Sequence, residues 1–237
     1  MNALTVIVAQ DPHRDWFHEV IPQPLEALDK QLETVLAGIG VDSAKTGMLG
    51  SIEVIELVAD KVKQYGIDNL VVDPVMVCKG ADEALHPEID ACLRDVLVPH
   101  ALVVTPNLFE ASQISGLSKV TTVEEMKEAA ARIQEQGAKY VIVKGGKLSG
   151  HDKAVDVLFD GNDFTLLESD IVPTSYTHGA GCTFSAAITA ELAKGSDVMK
   201  AIETAKAFIT AAIKHSSRLN QYVGSVNHGG YRKSLGQ

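Results

Sequence analysis

The chain alternates between short runs of β-branched residues and longer stretches whose apolar residues recur three or four positions apart. Residues 4–9, 43–46, 70–73, 102–105 and 140–144 read as strands,. Most are apolar at successive positions, as strands covered on both faces are. Residues 24–37, 51–65, 87–96 and 122–136 carry the spacing of helices packed on a sheet,. Thr122 with Glu125 predicts a capping box, and Gly66 and Gly137 stand where helix C-termini take a left-handed residue,. Strand and helix in alternation imply a mostly parallel sheet with right-handed crossovers, and place ligand chemistry at the carboxyl ends of the strands.

After Lys144 the pattern changes. Residues 154–159 and 164–168, separated by Asp160-Gly161, predict a hairpin that adds antiparallel strands to the sheet,. Two long helices, roughly 181–193 and 198–215, precede a polar tail,. No repeat, low-complexity tract or linker interrupts residues 1–237, so one domain is expected.

Composition narrows the classes of function. At 46% apolar and 22% charged residues the chain can bury a sizeable core and is not a disordered one,. A net charge of −10 repels nucleic-acid backbones and anionic lipid, so neither is an expected partner,. The three cysteines, Cys78, Cys92 and Cys182, are odd in number and form no Cys-x-x-Cys pair, which argues against a disulfide framework or a zinc site and for a reducing cytoplasm,. No apolar run approaches the roughly 20 residues that span a bilayer, and the first ten residues lack the basic start of a signal peptide,.

Five segments carry candidate chemistry. Thr177-His178-Gly179-Ala180-Gly181-Cys182-Thr183 runs straight into an apolar-periodic helix. Its glycines let backbone approach a ligand, and N–H groups at a helix start favour negative charge, as in a transferring phosphoryl group. A plain glycine turn before a helix has the same form. Cys182 lies where the helix dipole lowers a thiol pKa, although an unpaired cysteine is as often a small buried hydrophobe.

Thr105-Pro106-Asn107-Leu108-Phe109-Glu110 sets an amide and a carboxylate three residues apart, facing one magnesium shell or forming an N-cap with its reciprocal glutamate,. Asp73, before Pro74, is delivered to the sheet's carboxyl edge. Beyond it, residues 77–82 read as a lid or a surface loop, with Cys78 and Lys79 in reach of a ligand. Lys144, before Gly145-Gly146, is a strand-end cation suited to phosphate.

Together Lys45-Thr46-Gly47-Met48-Leu49, Asp73-Pro74-Val75-Met76, Pro106-Asn107 with Glu110, Val143-Lys144-Gly145-Gly146 and His178-Gly179-Ala180-Gly181-Cys182-Thr183 resemble, in this order, the ribokinase-like superfamily. The resemblance is to its branch of hydroxymethylpyrimidine (phosphate) kinases and two-cysteine pyridoxine (pyridoxal) kinases. It implies a three-layer α/β/α fold and transfer of the γ-phosphoryl of magnesium ATP to a hydroxymethyl group on a small heterocyclic alcohol or aldehyde. A homodimer and a monovalent cation are further expectations of it. Under the resemblance Gly179, Ala180 and Gly181 form the anion hole, and Cys182 stands where many members carry an aspartate base. Cys78 and Cys182 match the two positions associated with holding a substrate aldehyde as a hemithioacetal. Asn107 and Glu110 organise magnesium-bound water, Asp73 supports the metal, Lys144 and Gly145 meet ATP phosphates, and Gln10, Met48, Lys79 and His178 face the heterocycle.

A B6 vitamer is the favoured acceptor because Cys78, Ala180 and Phe184 follow the B6-like pattern. A pyrimidine kinase of thiamine synthesis and a nucleotide-binding but catalytically incomplete member are the alternatives. Family members open with an additional strand and a Gly-rich acceptor loop, whereas Met1 to Thr5 begin where the family's second strand lies. A domain shortened at its N-terminus is therefore expected.

Overall fold

The computed structural model describes residues 1–76 and 87–236. Its main sheet has six strands: β3 (Ala44–Thr46), β4 (Leu70–Val72), β5 (Val103–Val104), β6 (Tyr140–Lys147), β7 (Lys153–Phe159) and β8 (Phe164–Asp170), hydrogen-bonded in that order. The β3–β4, β4–β5 and β5–β6 pairings are parallel, and β6–β7–β8 is an antiparallel meander. The expected hairpin at Asp160-Gly161 is the β7–β8 connection, where the Asp160 carboxylate accepts the N–H groups of Asn162 and Asp163.

Side-chain alternation along the strands separates two cores. Leu70, Val72, Val104, Val141, Val143, Val155 and Val157 face one side, covered by α1 (Leu25–Glu33), α2 (Ile52–Tyr65), α3 (Pro87–Cys92), α4 (Leu108–Ser115) and α5 (Val123–Gln134). Val71, Val103, Ile142 and Leu158 face the other, beneath α6 (Ala180–Ala193) and α7 (Val198–Lys214). Period-two strands between amphipathic helices thus give the three layers. The uninterrupted apolar runs of the parallel strands follow from burial on both sides.

The first expected strand, 4–9, does not join this sheet. Strand β1 (Val6–Asp11) pairs only with β2 (Phe17–Pro22), as a separate antiparallel hairpin whose Ile7, Val8, Phe17 and Ile21 are exposed. Its apolar run reads like that of a central strand, but four of the hairpin's large apolar side chains are exposed among the described residues. After α7 the chain forms a short ladder of β9 (Ser217–Arg218) with β10 (Gly224–Ser225) and a last turn, α8 (Gly230–Ser234). No helix among the described residues is long and apolar enough to cross a membrane.

The two predicted helix-ending glycines differ. Gly66 is a left-handed C-cap of α2 (φ 59°), with open space where a Cβ would stand. Gly137 lies three residues past α5, at φ 118°, and a Cβ there would come 2.9 Å from the Pro99 Cα. It is a close-approach glycine as well as a strained one. Gly66→Ala is expected to cost about 1 kcal/mol, the left-handed penalty alone, whereas Gly137→Ala adds a backbone clash and costs about 3 kcal/mol. Urea unfolding midpoints of the two variants test this, and equal shifts would contradict the packing role of Gly137.

Candidate active site

The carboxyl ends of β3 to β6 are stitched side by side. The Asp73 N–H donates to the Thr46 carbonyl, the Thr105 N–H to Val72 and the Lys144 N–H to Pro106. The loops after β3, β4 and β5 therefore lie along one edge with Lys144, which stands inside β6 just before its bulge and not at the strand's end as expected. Asp73, delivered there by the proline after it, is 2% exposed. Its Oδ1 accepts the Lys144 ammonium at 3.2 Å and the Thr105 hydroxyl at 3.3 Å, and its Oδ2 accepts the Ser185 hydroxyl at 3.1 Å. Ser185 sits on α6 in the opposite layer, so the carboxylate ties the mouth of that helix to the strand ends.

Gly179 is the left-handed N-cap of α6 (φ 82°), and the first helical bond runs from the Thr183 N–H to its carbonyl. The Ala180 N–H is spent on the Thr177 carbonyl. This leaves the N–H groups of Gly179, Gly181 and Cys182 without a backbone acceptor among the described residues. A Cβ on Gly181 would lie 3.3 Å from the Lys144 Nζ, so the lysine rests close against the helix start. Amides and ammonium converge on one point, the arrangement that stabilises a migrating phosphoryl group.

The Cys182 thiol differs from its expected state. It is exposed to the cleft, yet its pKa is raised, first by desolvation and then by the Asp73 charge, with Lys45 and Lys144 opposing. Desolvation at the helix start, with the Asp73 carboxylate adding to it, outweighs the pull of the two lysines,. The surroundings of Cys182 thus work against the thiolate form that the helix dipole alone would favour.

Asn107 and Glu110 form a full capping box at the start of α4: Asn107 Oδ1 accepts the Glu110 N–H at 2.9 Å, and Glu110 Oε2 accepts the Asn107 N–H at 2.7 Å. Glu110 is nonetheless buried beside Asp73 and Lys144, and its pKa is pushed up to about 7 by desolvation, against the pull of Lys144 and the Asn107 N–H. The side chain satisfies the cap, and the carboxylate is short of positive charge. No group of three or more His, Cys, Asp or Glu side chains gathers as a metal cage among the described residues. Two carboxylates at a phosphate-facing edge nevertheless suit magnesium, which keeps its waters and takes one or two carboxylates beside substrate phosphates.

On the other side of Lys144 lies a cavity of about 420 Å³, walled by Gly145, Gly146, Ala180, Gly181, Phe184 and Ile209 among others. Gly145 lines it, but its N–H donates to Asp156 at 3.1 Å. Gly145 therefore offers the cavity a wall and no donor. Gln10 on β1 lies 3.0 Å from the His18 ring nitrogen on β2, and the His18 ring stands edge-on to His178 with centroids 6.1 Å apart. The hairpin thus reaches the loop before the anion hole. Met48 follows β3, half-buried, its carbonyl accepting the Thr5 hydroxyl. Cys78 and Lys79 lie outside the described residues. Sequence reading missed Ser185 and His18, single polar residues with no spacing signal, and quoted Thr105 without assigning it the bond to Asp73.

A layered α/β sheet whose carboxyl edge gathers a helix mouth, a lysine and two carboxylates has the build of a phosphotransferase. Residues 1–227 match the phosphomethylpyrimidine kinase family, and the chain belongs to that family. It is 56% identical to the pyridoxine kinase of Bacillus subtilis over 98% of this chain and 86% of the relative. It is 41% identical to the hydroxymethylpyrimidine/phosphomethylpyrimidine kinase of Haemophilus influenzae, covering 98% and 86%. Among solved structures it superposes on the ADP complex of Bacillus subtilis pyridoxal kinase with a TM-score of 0.95 at 56% identity, covering 98% and 87%. On Staphylococcus aureus pyridoxal kinase with AMP-PCP and pyridoxal the TM-score is 0.91 at 46% identity, covering 98% and 82%. The fold is the three-layer ribokinase-like one that the motifs implied.

Asp73→Asn removes the charge that adds to desolvation in raising the Cys182 thiol, so alkylation of Cys182 by iodoacetamide, followed by peptide mass spectrometry, is expected to reach half its limiting rate at lower pH in the variant than in the parent. An unchanged midpoint would show that Asp73 does not set the thiol.

Proposed function

We propose that the chain phosphorylates the hydroxymethyl group of a B6 vitamer, pyridoxine, pyridoxal or pyridoxamine, with ATP as donor. The observation that carries this reading is the meeting of the α6 amides with Lys144 beside Asp73 and Glu110. Its company is the 56% identity to a pyridoxine kinase over nearly the whole chain.

In this reading the phosphate tail of ATP lies along Lys144 from the cavity toward the Gly179, Gly181 and Cys182 N–H groups. Asp73 and Glu110 would hold hydrated magnesium, and Asn107 orients Glu110 through the capping box. When bound, magnesium neutralises charge on the phosphates. Lys144 and the helix mouth stabilise the charge on the moving phosphoryl group, and the half-buried edge keeps it in line with the acceptor. A thiol whose pKa is raised is a poor acceptor for the proton on the substrate hydroxyl, so this reading gives Cys182 no base role. A loose transition state needs little help from a base, and catalysis rests on alignment and charge. The sulfur instead tethers an aldehyde: its S–H adds across the C=O, sulfur to carbon and proton to oxygen, which gives a hemithioacetal. The resemblance assigns Cys78 to serve with it and Lys79 to the same substrate, and Gln10, Met48 and His178 are the ring-facing residues of this reading.

The chain works in the cytoplasm as a homodimer. Two-stranded ribbons are marginal in water by themselves, and the exposed Ile7 and Ile21 are directly paired across β1 and β2. A second copy covers that face.

A pyrimidine kinase is the second reading, supported by the 41% identity to the Haemophilus influenzae enzyme. Coupled assays of magnesium-dependent ADP release separate the two: pyridoxal is expected to be the better acceptor, and no turnover with either substrate would overturn the kinase reading for this chain. Cys78→Ala is expected to weaken pyridoxal use and leave hydroxymethylpyrimidine use nearly intact. Equal losses on both substrates would remove the aldehyde-holding role from Cys78.

A further inference from the structure

The nucleotide cavity contains a carboxylate where an anion is to bind. Asp156 on β7 is 7% exposed and stands directly across the ladder from Lys144. Its Oδ1 accepts the N–H groups of Gly145 at 3.1 Å and Gly146 at 3.4 Å, and its Oδ2 accepts the Lys206 ammonium of α7 at 2.7 Å. All of these residues line the same cavity. The register of β6 against β7 slips between Lys144 and Lys147, so two glycines on β6 oppose the single Val155, with Gly146 at φ 58°,. A Cβ on Gly145 would fall 2.5 Å from the Val155 carbonyl and 2.8 Å from the Met126 Cε. The bulge therefore requires glycine at 145, and the Asp156 carboxylate ties down both of its N–H groups.

A lone negative charge at this place would repel a triphosphate through a medium that screens poorly. Both partners of the pair are largely buried, with side-chain exposures of 14% for Lys206 and 10% for Asp156. We infer that Asp156 and Lys206 are a positioning pair for the nucleotide: Asp156 fixes the glycine bulge beside Lys144, and Lys206 cancels the charge that this clamp would otherwise present to ATP. The inference rests on the reading of the cavity as the ATP site and adds to it two residues, one from the antiparallel meander and one from α7. The net charge of the pair then sets the affinity for ATP.

Charge-ordered kinetics test it. Lys206→Met leaves a net −1 and is expected to raise the ATP KM about tenfold. The double variant Asp156→Asn with Lys206→Met is neutral like the parent and keeps an amide oxygen for the glycines, so its ATP KM is expected within about threefold of the parent value. Asp156→Asn alone leaves a net +1 and is expected to lower the ATP KM, most clearly at low salt. The pyridoxal KM stays unchanged throughout. A purely structural pair would shift the melting temperature without this ordering and without rescue in the double variant, and that outcome overturns the inference. If Lys206→Met yields no soluble protein, Asp156→Asn and the double variant still decide, because an ATP KM for Asp156→Asn at or above the parent value contradicts it. Lys144→Ala separates the two levels. A raised ATP KM in that variant with no charge ordering at the pair sinks the inference alone, whereas an ATP KM indifferent to all four variants sinks the reading of the cavity itself.

Discussion

Asp73 loses almost all of its hydration on folding, and a carboxylate so placed is tolerable only if donors replace the water it gave up. The replacements come from three separate elements: Lys144 inside β6, Thr105 after β5 and Ser185 on α6. Withdrawing one partner from such a site typically costs about 3–5 kcal/mol, so the contacts hold the helix mouth against the strand ends as firmly as they satisfy the charge. The same carboxylate raises the Cys182 thiol and adds to the rise at Glu110. Asp73 thus fixes the geometry of this edge and adds to the protonation shifts that desolvation begins.

This arrangement explains why the cleft suits phosphate and divalent cation together. Lys144 is partly neutralised by Asp73 and is therefore not simply a cation waiting for an anion. Glu110, pushed up to about 7, is close to the point where an added positive charge ionises it fully. Positive charge arriving with the nucleotide would satisfy both carboxylates at once, while the α6 amides take the phosphate oxygens. The edge is balanced in charge for a ligand that brings both signs.

Much of the fold was legible because its signals are local. Capping boxes at Thr122 with Glu125 and at Asn107 with Glu110 need only four consecutive residues, and both formed as spaced. Alternating strand and helix periodicity likewise gave the layers. The first strand misled because an uninterrupted apolar run states that a strand is hydrophobic and not what covers it, and β1 turned out to be half of an outlying hairpin. The candidate site was legible where glycines and strand-end charges cluster in sequence. It was not legible where partners come from afar: Ser185 is a lone hydroxyl on an apolar helix face, and its bond to Asp73 joins residues more than a hundred positions apart. The thiol of Cys182 followed the same rule, since the local helix dipole is visible in sequence and the opposing carboxylate is not.

The central claim is that the phosphoryl group moves at the mouth of α6 against Lys144. A crystal structure of the chain with magnesium and a non-hydrolysable ATP analogue measures this directly. The account predicts terminal phosphate oxygens about 3 Å from the Gly181 and Cys182 N–H groups and from the Lys144 ammonium. A phosphate tail seated elsewhere, as in the cavity at the opposite end of the strands beside Lys63, His100 and Lys139, would contradict it.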